Sequence, residues 1–196
     1  MTSYPHDHPF TRLADWLSEA ETGELNDPNA VYIASVGADG QPSLRTVLLK
    51  GLDSRGLVFY TNFNSRKGQE LQAHRQAAAL FHWKSLERQV RAEGTVEQVS
   101  DAEADTYFAS RRRGSQIGAH ASLQSQPLAE RALLEARLAE AEDRYAGQDV
   151  PRPAHWSGFR LVPHRFEFWH AGDHRLHERE VLTRAQSGWT AERLYP

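Results

Sequence analysis

The chain contains no cysteine, which excludes disulfides, a thiolate nucleophile, cysteine-ligated zinc and cysteine-held iron–sulfur clusters. No run approaches the ~20 consecutive apolar residues that span a bilayer. No basic segment followed by an apolar stretch opens the chain either, since MTSYPHDHPF is polar and interrupted by proline. The expectation is a soluble, cytoplasmic protein with no membrane partner. An excess of one charge is also missing: 23 Lys and Arg against 26 Asp and Glu give a net charge of −3. Neither a polycation for nucleic acid nor a solvating acidic tail fits that balance, and no nucleic-acid partner is expected. Absent too are GxGxxG after a strand, GxxxxGK[ST], HExxH and GxSxG, the usual nucleotide-loop, zinc-protease and serine-hydrolase signatures.

What remains is a chain of 196 residues, one domain at roughly 150 residues per domain. At that length folding buries about 70% of the unfolded surface, so a core forms without staples. Five Trp, six Tyr and eight Phe in so polar a chain point to aromatic-lined surfaces.

Phe10, Leu13, Trp16 and Leu17 predict a short amphipathic helix over 10–20. Strand-like runs follow at 31–36, 44–50 and 57–62, joined by Asp-Gly and Ser-Arg-Gly turns in which glycine tolerates positive φ. A helix is expected over 65–76, capped by Asn64 or Ser65, and then strands at 78–83 and 88–99. Ser100 with Glu103 reads as a capping box opening a helix to about Ser110. A longer helix is expected over 128–145, its stripe being Leu134, Leu138, Ala141 and Tyr145 and its stop Gly147. Beyond Pro151 and Pro153 come strands at 158–162, 165–170, 176–182 and 189–194, with hairpin turns at 171–173 and 186–188. Hairpin-linked strands outnumber helices and no βαβ alternation occurs. The fold expected is mainly β with peripheral helices (α+β), an antiparallel barrel.

Cations punctuate these elements. Strand alternation over 175–179 puts Arg175, His177 and Arg179 on one face and Leu176 on the other. Three such groups in a row repel one another unless they face solvent or an anion; a solvated edge strand and a ligand-facing strip both satisfy that. Phe166 and Phe168 share a face, leaving Trp169 beside the strip. Alternation also sends Arg45 and Lys50 to opposite faces, toward different anions or toward solvent. Ser65-Arg66-Lys67 enters a helix start, where backbone N–H groups and two cations make a phosphate seat. Tyr107 and Arg111, four apart, share a helix face and with Ser115 could hold a small phosphate; the alternative is a solvated helix end. His170 and His174 lie on opposite sides of a turn from one another, so with His177 they make no shared metal geometry, and no metal is expected. His6 and His8 lie in the N-terminal arm.

RTVLLK at 45–50, FYT at 59–61, SRK at 65–67, LERQ at 86–89, SQIG at 115–118, Gln124-Ser125 and FWHAGDHRLHER at 168–179 together resemble the pyridoxine/pyridoxamine 5′-phosphate oxidase family, in its order and approximate spacing. The likeness runs from about Ala30 to the terminal Arg193-Leu-Tyr-Pro196. It implies a Greek-key split β-barrel binding FMN in a groove between the subunits of a homodimer, with an arm and helix over 1–29 and the oxidase domain over 30–196. By matching position, Arg45, Arg66, Lys67 and Ser125 would hold the FMN phosphate and its neighbourhood. Thr46, Val47, Leu48, Leu49 and Lys50 complete that cofactor-binding run. Tyr60, Thr61, Gln89, Gln124, Trp169 and Arg179 would contact the rest of the flavin.

Lys50, Tyr107, Arg111 and Ser115 would bind the substrate phosphate, while Arg175 and His177, with Leu176 between them, would lie over the pyridine ring as the catalytic pair. The implied reaction is FMN-dependent oxidation of pyridoxamine or pyridoxine 5′-phosphate to pyridoxal 5′-phosphate, with O2 reduced to H2O2. Related alternatives are a split-barrel oxidase acting on another substrate, such as a phenazine-pathway intermediate, or a non-catalytic flavin-binding protein. The chain departs from the family pattern in lacking an Arg-Arg-x-Tyr-type segment in its first ten residues. It also carries Gly114, His120 and Leu123 where Asp, Trp and Lys are common.

Overall fold

A computed structural model of the chain describes residues 8–196, so His6 lies outside the described residues. Helix α1 (Pro9–Gly23) starts at a proline, whose missing N–H costs nothing in a first turn. It buries Phe10, Leu13 and Ala20 against the main core. Nine strands then form one antiparallel sheet. They are β1 (Ala30–Val36), β2 (Pro42–Leu48), β3 (Gly51–Asp53), β4 (Gly56–Asn62), β5 (Gln76–Trp83), β6 (Arg88–Gln98), β7 (Trp156–His170), β8 (Glu178–Arg184) and β9 (Trp189–Arg193). The order is β2-β1-β5-β6-β7-β4-β3, with β8 on β7 and β9 on β8. β2 comes back against β4, curling the sheet into a half-barrel around Phe59, Phe81, Val90, Phe159, Phe166 and Phe168.

The expected strands at 158–162 and 165–170 are one strand. β7 runs through Pro163 because a bulge absorbs the missing donor: Glu93 pairs with Arg165 but Gly94 with Pro163, leaving His164 over. Gly94 allows the close approach, since a Cβ there would strike the Val162 carbonyl. Bent at this point, β7 pairs β4 with its first half and β8 with its second.

The helices follow their end signals. In α2 (Arg66–His74) the Ser65 side chain accepts the Gly68 N–H, and α3 (Asp101–Ser110) has the full Ser100/Glu103 capping box. α4 (Arg113–Ala121) was not anticipated, because Gly114 and Gly118 lower its propensity while burial of Ile117 and Ala121 holds it. α5 (Arg131–Arg144) begins later than residue 128, and its stripe is thinner than expected: Ala141 is buried but Leu138 is 37% exposed. A second apolar cluster, Phe108, Ile117, Ala141, Val150 and Trp156, joins these helices to the start of β7. Among the described residues no helix is long and apolar enough to cross a membrane.

Candidate active site

A cavity of about 480 Å³ opens where the ends of β2 and β4 meet the helices. Thr46, Val47, Leu48 and Lys50 line it from the end of β2, and Tyr60, Thr61 and Asn62 from β4. Lys67 enters from the first turn of α2, Tyr107 and Arg111 from the end of α3, and Ser115 from α4. Gln124 and Trp156 close it. Eleven of the positions expected to bind cofactor or substrate therefore converge, although they come from six separate stretches of chain.

Lys67 reaches in from a helix end whose dipole opposes a cation. Its Nζ donates to Thr61 Oγ1 and Gln124 Oε1, both at 3.0 Å. Burial pulls its ammonium below the usual lysine range, and the charge of Arg45 adds to that. Arg111 sits just past α3 as its C-cap rather than on a helical face with Tyr107. Its Nη1 is buried with no hydrogen-bond partner, and among the described residues no Asp or Glu lines the cavity. A desolvated cation with an unused donor is costly without an anion. The residues present thus fit phosphorylated ligands, as FMN and a phosphorylated substrate would be. Burial raises the phenols of Tyr60 and Tyr107 above their ordinary values, so both stay protonated.

Two cations expected at the same phosphate do not line the cavity. Arg45 Nη2 and Arg66 Nε bind opposite oxygens of the buried Glu70 at 3.0 and 2.8 Å. Ser35 and Ser43 donate to the same carboxylate at 2.6 and 2.5 Å. Lys50 lies beyond the end of β2, so alternation does not govern it; Arg45 turns to Glu70 and Lys50 to the cavity. Leu49 is buried in the main core, and Ser125 is exposed with a left-handed φ of 71°.

The remaining candidates gather elsewhere on the protomer. Gln89, Trp169 and Arg179 form one cross-strand row over β6, β7 and β8, which puts them on one sheet face. Arg179 Nε donates to Glu167 Oε1 at 2.9 Å, and Arg91 pairs with the other oxygen. The expected alternation over 175–179 fails. Asp173–Arg175 form a kinked turn in which His174 and Arg175 have left-handed φ of 56° and 66°, and β8 starts only at Glu178. The turn at 171–173 is accordingly a longer connection than a tight hairpin. Gly172 makes it possible, because a Cβ there would meet the Leu176 carbonyl. Arg175 and Leu176 project outward, while the His177 ring lies 4.6 Å from that of Trp169. The Gly172 N–H donates to His177 Nδ1 at 3.2 Å, so the neutral imidazole carries its proton on Nε2, as a donor.

Asn62, Ala119, Ser122 and Trp156 also line the cavity and carried no sequence signal, and Gly118 lines it as the last residue of the SQIG motif. The substitutions at 120 and 123 lie nearby. His120 Nε2 is 2.8 Å from the Pro151 carbonyl and its ring packs on Tyr145, whereas Leu123 is 53% exposed.

Comparison with known proteins agrees with this geometry. Residues 17–145 match a family model described as pyridoxamine 5′-phosphate oxidase. Residues 156–196 match a second, described as the pyridoxine 5′-phosphate oxidase C-terminal dimerisation region. A pyridoxine/pyridoxamine 5′-phosphate oxidase of Myxococcus xanthus is 60% identical over 188 residues, covering 96% of this chain and 91% of its own. Among solved structures, PhzG from Burkholderia lata, in complex with tetrahydrophenazine-1-carboxylic acid, superposes with a TM-score of 0.91 at 33% identity, covering 98% and 95% of the two chains. An FMN-binding protein of Nostoc punctiforme shares the fold, with a TM-score of 0.79 at 17% identity over the full length of both chains. With both family models matched and a relative this similar along almost all of its length, the chain belongs to the pyridoxamine 5′-phosphate oxidase family.

Proposed function

We propose that the protein is an FMN-dependent oxidase that converts pyridoxamine 5′-phosphate and pyridoxine 5′-phosphate to pyridoxal 5′-phosphate. The amine with water and O2 yields aldehyde, ammonia and H2O2; the alcohol with O2 yields aldehyde and H2O2. The observation that carries the reading is the set of cations lining the cavity, Lys50, Lys67 and Arg111, with no carboxylate among the described residues of its lining and no partner for the buried Arg111 Nη1. The name of the Myxococcus relative supports the same reaction. An oxidase for a substrate without phosphate would leave those cations without an anion, at a cost of about 1–3 kcal/mol for each hydrogen bond left unmade in a desolvated site.

In this reading Lys67 holds the cofactor phosphate, with Arg45 and Arg66 behind it on Glu70, and Thr46, Val47 and Leu48 with Tyr60, Thr61 and Gln124 line the flavin. Lys50, Tyr107, Arg111 and Ser115 anchor the substrate phosphate. Bound FMN supplies a two-electron acceptor that O2 can reoxidise. The protein contributes position: an anchored phosphate turns ring placement into an intramolecular problem.

The second group, Gln89, Trp169, Arg175, His177 and Arg179, completes the site from a partner protomer. Three observations support that arrangement. The turn at 172–177 projects outward, the C-terminal segment matches a dimerisation region, and Tyr32, Leu44 and Leu48 leave an apolar sheet face exposed beside the cavity. There His177 Nε2–H donates to polar substituents of the substrate while Arg175 clamps its ring.

The test is an aerobic assay of FMN-loaded protein with pyridoxamine 5′-phosphate, following aldehyde and peroxide together. Both products are expected from the phosphorylated amine and neither from pyridoxamine; a flavin-loaded protein that makes neither from either amine refutes the reading.

A further inference from the structure

Arg111 differs from the other arginines that the fold takes out of water. Arg45 has Glu70, Arg152 has Asp101 and Asp105, Arg160 has Glu103 and Arg179 has Glu167. Arg111 has no carboxylate partner among the described residues. Instead its guanidinium carbon lies 4.5 Å from the centroid of the Trp156 ring. Trp156 is only 6% exposed and is held from several sides. Phe108 meets it edge-on at 5.1 Å, Tyr60 stacks parallel to it at 5.5 Å and 4°, and Tyr107 stacks on Tyr60 at 4.0 Å. The backbone is fixed as well, because the Trp156 carbonyl accepts from Arg152 Nη1 at 2.8 Å.

We infer that Trp156 is a positioning residue for the phosphorylated substrate: its ring holds Arg111 in the place where a carboxylate would otherwise sit, so that the guanidinium meets the phosphate un-neutralised. The inference rests on the function proposed above. Its physical basis is the difference between the two kinds of partner. A carboxylate would fix the guanidinium strongly, but its charge would cancel the field and repel a phosphate dianion. An aromatic face attracts the cation through its quadrupole and brings no net charge. It also leaves the in-plane N–H groups of the guanidinium without a carboxylate among the described residues, in keeping with the unpartnered Nη1. The parallel Tyr60 and Tyr107 rings brace Trp156, so the platform that orients Arg111 is continuous with two other walls of the cavity.

A double-mutant cycle on FMN-loaded protein tests this: wild type, Trp156→Leu, Arg111→Ala and the double variant, with pyridoxamine 5′-phosphate as substrate and FMN dissociation measured separately. Trp156→Leu is expected to raise KM about tenfold with kcat within about twofold, the size of a desolvated cation–π contact. Trp156→Phe, which keeps a ring, stays within about threefold of wild type in KM. In the Arg111→Ala background, Trp156→Leu adds less than about twofold, because the group it acts through is gone. Trp156→Met carries the same expectation as the leucine variant should that one fail to fold. An unchanged KM, a full additional loss on top of Arg111→Ala, or a loss confined to FMN affinity overturns the inference. If wild type makes no aldehyde, the proposed reaction fails and calorimetric titration with inorganic phosphate decides the present point. Weaker binding by Trp156→Leu than by wild type supports it, and equal binding overturns it.

Discussion

Glu70 joins two cations that the sequence motifs assign to one phosphate. Burial alone would push its carboxyl toward the neutral form. Hydrogen bonds from Ser35, Ser43 and Arg66 and the charge of Arg45 outweigh that and lower it from 4.5 to about 2. A carboxylate whose folded pKa lies below its unfolded value stabilises the fold above the unfolded value, and the contribution disappears as pH falls through the folded one. For Glu70 the window runs from about pH 4.5 down to about 2, and the contribution at neutral pH is about 3 kcal/mol. Urea unfolding across that range should show a shallower loss of stability on acidification in Glu70→Gln than in wild type, by close to one proton. Parallel slopes would mean that Glu70 titrates alike folded and unfolded. The His177 tautomer is set just as locally, by one N–H from Gly172, and that contact exists only because two consecutive residues accept left-handed backbone.

Helix α3 and strand β7 carry the side of the cavity that the proposed function gives to the substrate. α3 presents Tyr107 and ends at Arg111, and β7 begins at Trp156. The N-terminus of α3 is fastened twice. Ser100 Oγ accepts the Glu103 N–H at 3.2 Å. Glu103 in turn accepts from the Ser100 N–H and, at 2.7 Å, from Arg160 of β7. These contacts, Arg160 foremost, hold the Glu103 carboxyl at about 2. Ser100→Ala removes the cap and should cost about 1 kcal/mol, read as a lower urea midpoint with an unchanged m-value. FMN affinity should stay at the wild-type level, because the residue touches no part of the cavity. A destabilisation near zero would show that Arg160 and Glu103 anchor the helix without the serine.

Within one protomer the candidates form two groups, the cavity and the row with its outward turn, which lines a different hollow through His177 and Arg179. A homodimer in which each site takes one group from each protomer predicts complementation. An Arg111→Ala chain and a His177→Ala chain, each strongly impaired as its own homodimer at substrate well below KM, should regain activity when mixed by reversible unfolding. A heterodimer then holds one intact site and one doubly altered site. Random re-pairing makes half the dimers heterodimers, so the mixture should reach about a quarter of wild-type activity. Recovery absent from re-paired, flavin-loaded mixtures would place both groups in one subunit's site.

Much of this protein can be read along the chain because the relevant forces are short-ranged. The Ser65 and Ser100 caps, the positive-φ glycines at 40, 147 and 188, and the alternation that buries Phe166 and Phe168 all depend on neighbours within a few residues. The ordered motifs likewise contain Thr46, Tyr60, Lys67, Ser115 and Gln124, which converge on the cavity. Other features depend on contacts across the fold. α4 forms despite two glycines because Ile117 and Ala121 find a core. The 173–175 turn replaces a strand because Gly172 lets the chain fold back on Leu176. Lys67 meets Gln124 across 57 positions, and Arg111 meets Trp156 from a different element. Local propensity and pattern say which residues are available; burial then sets which charges lose their water and which partners replace it, and that balance exists only once distant segments are packed together.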